Sequence, residues 1–247
     1  MTNTISKPRF EEVVAVTTMK VTTMNLPDFG LKFNAQCVSP MKFAGLRQAD
    51  YGLGFRMPIM PELVPLVYTS LEHQDKETAK NVIKTLRERR LTGNTGVHYV
   101  PEGMYVQDDP DLVNGRVSMS QKALEGKLGS YEERGVVFSD DKSVRFVPYG
   151  FSRESQKSSL DLAGNSGVIA LTGSEESAEM LAKASEHYKV NPYLWALSNV
   201  DSPETRVAIL VSDRLDGRLG VIAYGSEHDN GWGSFGVLKN AEGVAEK

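Results

Sequence analysis

DKETAKNVIKTLRERR, Asp75 to Arg90, has the clearest period in the chain. Ala79, Val82, Ile83 and Leu86 fall at i, i+3, i+4 and i+7, which stacks them along one side of an α-helix. Lys76, Lys80, Lys84, Arg87, Arg89 and Arg90 fill most of the remainder, against Glu77 and Glu88. The spacing predicts a basic amphipathic helix, with the Asp75 carboxylate placed to accept free backbone amides at its start. The protein around it is acidic, with a formal charge of −4 and a pI near 5.7. A chain coated in positive charge is thereby excluded, so polyanion binding has to rest on a local patch.

On the N-terminal side, the Pro58, Pro61 and Pro65 series introduces a preceding helix in which Leu63, Leu66, Val67 and Ser70 face inward. Further back, the β-branched run from Phe10 to Met24 reads as one strand or as two with a weak turn, with Val13, Ala15, Met19 and Val21 on one face. Between them, residues 26–56 carry scattered glycines, prolines and phenylalanines with no clear period. They read as irregular structure with short strands, or as a mobile arm.

On the C-terminal side, LTGNTG reads as a loop, and VHYV and MYVQ as a hairpin around Pro101-Glu102-Gly103. Ser118 with Gln121 resembles a capping box that opens a helix ending near Gly129. A second hairpin turns at Asp140-Asp141. Residues 151–166 are a polar candidate linker. Val168 to Leu171 then reads as a strand, Thr172 with Glu175 as the capping box of a helix to about Tyr188, and Asn191-Pro192 as the start of a short helix. Arg206 to Ser212 and Arg218 to Tyr224 read as an antiparallel hairpin, and Ser234 to Leu238 as a last strand.

The expected fold is α+β: an N-terminal strand and loop region, a central set of helix–hairpin units, and a C-terminal antiparallel sheet packed by the 174–188 helix. The composition, 40% hydrophobic and 24% charged over 247 residues, suits one large globular domain or two small ones. The division expected is 1–150 and 167–247, with a single compact domain left open. The lone cysteine, Cys37, forms no internal disulfide, and no apolar run reaches the roughly 18 residues of a spanning helix, so a soluble cytoplasmic protein is expected.

Two clusters carry candidate chemistry. The first is the basic face of Lys80, Lys84, Arg87, Arg89 and Arg90, which can neutralise phosphates of a nucleic acid or carboxylates of an acidic protein partner. The plainer alternatives are a solvated face, or neutralisation by the acidic 102–111 segment with Asp108, Asp109 and Asp111. The second is the loop with Tyr224, Glu227, His228 and Asp229, where an imidazole beside carboxylates suits proton transfer. Metal binding there would need His98 or His187 from elsewhere, and the spacing of the acidic runs does not match a calcium loop. No phosphate-loop, GxGxxG or GxSxG motif is present, so neither a cofactor nor a serine nucleophile is expected. The leading expectation is a binding or regulatory module that contacts a polyanion. An enzyme using residues 224–230 and a homo-oligomeric scaffold are the alternatives.

Overall fold

The basic helix runs from Glu77 to Glu88 and delivers the chain directly into an eleven-residue strand, Arg90–Val100, on which the architecture turns. The computed structural model describes residues 7–16, 20–151, 158–196, 200–212, 217–224 and 230–239. In chain order its elements are β1 (Glu11–Val16), β2 (Lys20–Leu26), β3 (Leu31–Met41), α1 (Phe43–Gln48), α2 (Met60–Glu72), α3 (Glu77–Glu88), β4 (Arg90–Val100), β5 (Gly103–Asp108), β6 (Asp111–Val113) and β7 (Arg116–Ser118). There follow α4 (Gln121–Glu125), β8 (Leu128–Glu133), β9 (Val136–Ser139), β10 (Val144–Pro148), α5 (Ser159–Ala163), α6 (Ser166–Thr172), α7 (Glu175–Ser185), β11 (Tyr193–Trp195), β12 (Glu204–Ser212), β13 (Leu219–Tyr224) and β14 (Trp232–Lys239).

Among the described residues, twelve of these strands share one sheet, and β6 and β7 form a small ribbon beside it. A strand has two edges, and β4 uses both. One edge carries β12, paired from Leu91 to Tyr99. The other is divided: β14 pairs in parallel with Arg90 and Leu91, and β5 takes over from Thr95 to Val100. Two arms therefore fork from β4, one running β14, β3, β2, β1 and the other β5, β10, β9, β8. On the β12 side the sheet continues to β13 and then, in parallel, to β11.

This overturns the expected layout of a helix–hairpin centre followed by a C-terminal antiparallel sheet. Strands from both sides of residue 151 lie in the same mixed sheet, and β14 sits between β3 and β4. The helix packed on β12 is α3, whereas α7 packs on α2, α5 and α6. Local periodicity identifies a strand but carries no information on a partner far away in the chain.

Side-chain alternation builds a core on each face. Ala208 and Leu210 of β12, with Val221 and Ala223 of β13, point toward α2, α3, α6 and α7. Val207 and Ile209, with Ile222 and Trp232, meet Phe43 and Leu46 of α1 on the opposite face. Expected hairpins at β4/β5, β9/β10 and β12/β13 are present, as is the pairing of β1 with β2.

Seven local readings change. LTGNTG is the buried start of β4, and its glycines serve contact instead of turning. A Cβ on Gly93 would stand 2.8 Å from the Met60 amide, and one on Gly96 2.7 Å from Met119 Sδ. Residues 31–41 form β3, with Leu31 and Phe33 inside. Val168 to Leu171 lie in helix α6, capped by Asn165 Oδ1, which accepts from the amides of Gly167 and Val168; a short, wholly buried run has no period to distinguish helix from strand. Thr172 ends that helix, and Ser174 caps the next by accepting from the Ser177 amide. After Asn191-Pro192 comes strand β11, and α4 is a five-residue helix preceded by Ser120 with no side-chain cap. At α3 itself the capping position is Lys76, again with no side-chain cap.

His98 lies inside β4, 6% exposed, with Nδ1 2.8 Å from Thr205 Oγ1. Burial holds its pKa below the ordinary value, so the folded state keeps the ring neutral where the unfolded chain takes up a proton. Stability is therefore lost as pH falls below about 6.5 toward the folded pKa. The urea midpoint is expected to drop between about pH 7.5 and 5.5, and a His98→Gln variant to drop less. Equal drops would contradict this.

Candidate polyanion-binding face

Ala79, Val82, Ile83 and Leu86 of α3 are buried as the period requires, and Lys80, Lys84, Arg87 and Arg89 are exposed. Lys80 Nζ pairs with Glu77 at 3.3 Å. The three terminal arginines point in different directions. The charge of Arg87 is felt at the Tyr188 hydroxyl and that of Arg89 at the Cys37 thiol. Arg87 lies in the last turn of the helix, whereas Arg89 is the residue that caps its end, in extended backbone. Arg90 no longer belongs to the helix: it opens β4, and alternation with buried Leu91 turns it to the sheet's other face, where its guanidinium sits 4.4 Å from the centre of the Tyr224 ring.

The acidic residues of the next hairpin have other partners. Arg145 donates to both Asp108 oxygens, at 2.7 and 2.8 Å, and Thr95 Oγ1 donates to the same carboxylate at 2.7 Å. Asp109 accepts from Arg47 and Asn94, at 2.7 and 2.6 Å. Asp111 lies on exposed β6. The cations at the end of α3 are therefore not the partners of Asp108 or Asp109.

Arg90 over Tyr224 is one of three such pairs on the successive strands β4, β12, β13 and β11 and their flanks. Arg206 of β12 lies 5.2 Å from the Trp195 ring of β11, and Arg218, just before β13, lies 5.5 Å from the Tyr193 ring. The parallel register sets Tyr193 opposite Gly220 and Trp195 opposite Ile222. Tyr193 lies flush on the sheet because Gly220 has no side chain, since a Cβ there would be 2.7 Å from the ring. Trp195 is 43% exposed, whereas Trp232 is fully buried and meets Tyr224 edge-on at 6.4 Å. Glu204 holds Arg206 at 2.9 and 2.7 Å. A guanidinium over a ring face contributes about 0.5–1 kcal/mol where exposed and keeps its positive charge.

Of the residues proposed for proton transfer, Tyr224 is described and stacks with Arg90; Glu227, His228 and Asp229 lie outside the described residues. The segment's flanks meet Arg90, through Tyr224 on one side and, on the other, the Gly231 carbonyl, which accepts from the Arg90 amide at 3.1 Å. His187 bonds Glu72 at 2.9 Å, and His98 bonds Thr205. Among the described residues no three or more His, Cys, Asp and Glu side chains form a metal-holding group, and no helix is long and apolar enough to cross a membrane. Cys37 is half-buried, and burial pushes its thiol pKa up. Asp141 is a turn residue: bonds from the Ser139 hydroxyl, then from the Ser143 amide and hydroxyl, hold its carboxyl down at about 2.

Sequence reasoning missed Tyr193, Trp195, Arg206 and Arg218. The available signal was the alternation in Tyr193-Leu194-Trp195, which leaves two rings on one face around buried Leu194.

No protein-family model matches the chain. No curated protein matches it either. A solved structure described as "Accommodation of massive sequence variation in Nanoarchaeota by the C-type lectin fold" is similar at 16% identity, covering 95% of this chain and 98% of that one, with a TM-score of 0.47. That likeness says nothing about what this chain binds.

Proposed function

We propose that the protein is a binding module for a single-stranded polyanion, nucleic acid foremost. The observation that carries this reading is the set of three guanidinium–ring pairs, Arg90 with Tyr224, Arg206 with Trp195 and Arg218 with Tyr193, across the run of strands β4, β12, β13 and β11. Aromatic faces stack unpaired bases and guanidinium groups meet phosphates, the combination that single-strand binders use. A duplex hides its base faces, so rings gain less from it. The exposed cations of α3, Lys84 and Arg87, add attraction from the other side of the sheet without base contact.

The test is a fluorescence anisotropy titration of a labelled thymidine strand of ~20 nucleotides and of the matching duplex, each at about 50 and 200 mM salt. The strand is expected to bind more tightly than the duplex and to weaken as salt rises. A protein that binds neither at the lower salt, or that prefers the duplex, would overturn the proposal.

A further inference from the structure

At the fork in the sheet, β14 leaves the edge of β4 after Leu91 and β5 joins it at Thr95. Loop groups fill the gap: the Asn94 amide donates to the Pro58 carbonyl at 2.6 Å, and the Asn94 carbonyl accepts from the Asp109 amide at 2.8 Å. Beside them opens a cleft of about 450 Å³, whose lining includes the paired Arg47 and Asp109, Arg56, Asn94, and the apolar Met57 and Ile59.

The cleft's polar groups are only partly used. Arg56 spends three N–H groups, two on Glu62 and one on the Met57 carbonyl, which leaves two of its five. Asp109 accepts both of its bonds through Oδ1, so Oδ2 has no donor among the described residues. Asn94 is 8% exposed, and with its amide nitrogen committed to Asp109 its buried Oδ1 also has no donor. The Asp109 side chain is exposed, so its Oδ2 is open to a ligand, whereas the buried Asn94 Oδ1 without a donor needs a reason.

We infer that this cleft binds a free α-amino acid with an apolar side chain. The ammonium supplies donors to Asp109 Oδ2 and toward Asn94 Oδ1. The carboxylate takes the spare N–H groups of Arg56, and the side chain lies on Met57 and Ile59. The charges fit a zwitterion, because Arg47, Arg56 and Arg145 around the cleft are balanced by Glu62, Asp108 and Asp109. A net anion or cation would leave one side unmatched.

Isothermal titration of the full chain with L-leucine, N-acetyl-L-leucine and L-leucinamide tests this. L-leucine is expected to bind saturably at one site, and the two blocked forms at least about tenfold more weakly, since each lacks one charge. Asp109→Asn and Arg56→Lys are expected to lose at least as much. Asp109 has φ +49, a conformation asparagine tolerates, and lysine keeps a cation beside Glu62, so both variants retain the local fold. The blocked ligands need no variant. Absence of saturable L-leucine binding at millimolar concentration, or equal binding of all three compounds, would overturn the inference.

Discussion

Replacing Arg145 by Met lowers the unfolding free energy by about 3–5 kcal/mol, the cost of leaving a buried carboxylate without its cation. The side chains of Arg145 and Asp108 are 1% and 8% exposed, so water cannot replace the guanidinium. The pair ends a buried chain of bonds: the Met60 amide donates to Thr95 Oγ1, Thr95 Oγ1 to Asp108, and Asp108 holds Arg145. The start of α2 is thereby fastened to β4 and to β5 and β10, the arm that joins β4 at the fork. Asp108→Asn together with Arg145→Met removes both charges while an oxygen still accepts from Thr95, and recovers most of the loss. Urea denaturation at unchanged slope measures both. A single variant within about 1 kcal/mol of wild type would show that the pair is not what holds the fork.

Alanine at both Arg90 and Arg218 weakens single-strand binding by roughly 10–100-fold at low salt, from lost phosphate contacts and two unsupported rings. The slope of log affinity against log salt becomes shallower by about 1.4, or 0.7 for each lost contact. Neither arginine lies in the core, so the melting temperature serves as a control for folding. Arg89→Ala is the contrast: Arg89 caps the end of α3, its charge is felt at Cys37 of β3, it belongs to none of the three ring pairs, and its loss changes the salt slope little. If Arg89 matters as much as Arg90 and Arg218 together, binding follows the helix and not the ring pairs.

The elements legible in the sequence are those whose evidence is local. The four-residue stripe of α3 and the turns at Pro101-Glu102 and Asp140-Asp141 needed no distant partner. The fork was not legible, because the insertion of β14 between β3 and β4 joins segments far apart in the chain. Gly93 and Gly96 also misled, since a glycine needed for close packing and one needed for a turn look alike in sequence. At the candidate site, Arg87, Arg89 and Arg90 read as one patch only while the helix is taken to reach Arg90. Ending it at Glu88 sends Arg90 through the sheet to Tyr224. That contact joins one residue from each of the two clusters recognised separately in the sequence. The rings of Tyr193 and Trp195 reach the same region through a three-residue parallel pairing, the least local signal in the fold.

The most direct measurement is tryptophan fluorescence during titration with a short thymidine strand. The chain has two tryptophans, Trp232 fully buried and Trp195 43% exposed at the proposed contact. Stacking of a base on Trp195 is expected to quench the emission saturably and to be reversed by salt, and Trp195→Phe is expected to abolish the quench while the protein remains folded. An unchanged spectrum while anisotropy reports a bound strand, or a quench that survives Trp195→Phe, would place the nucleic acid elsewhere and contradict the proposed face.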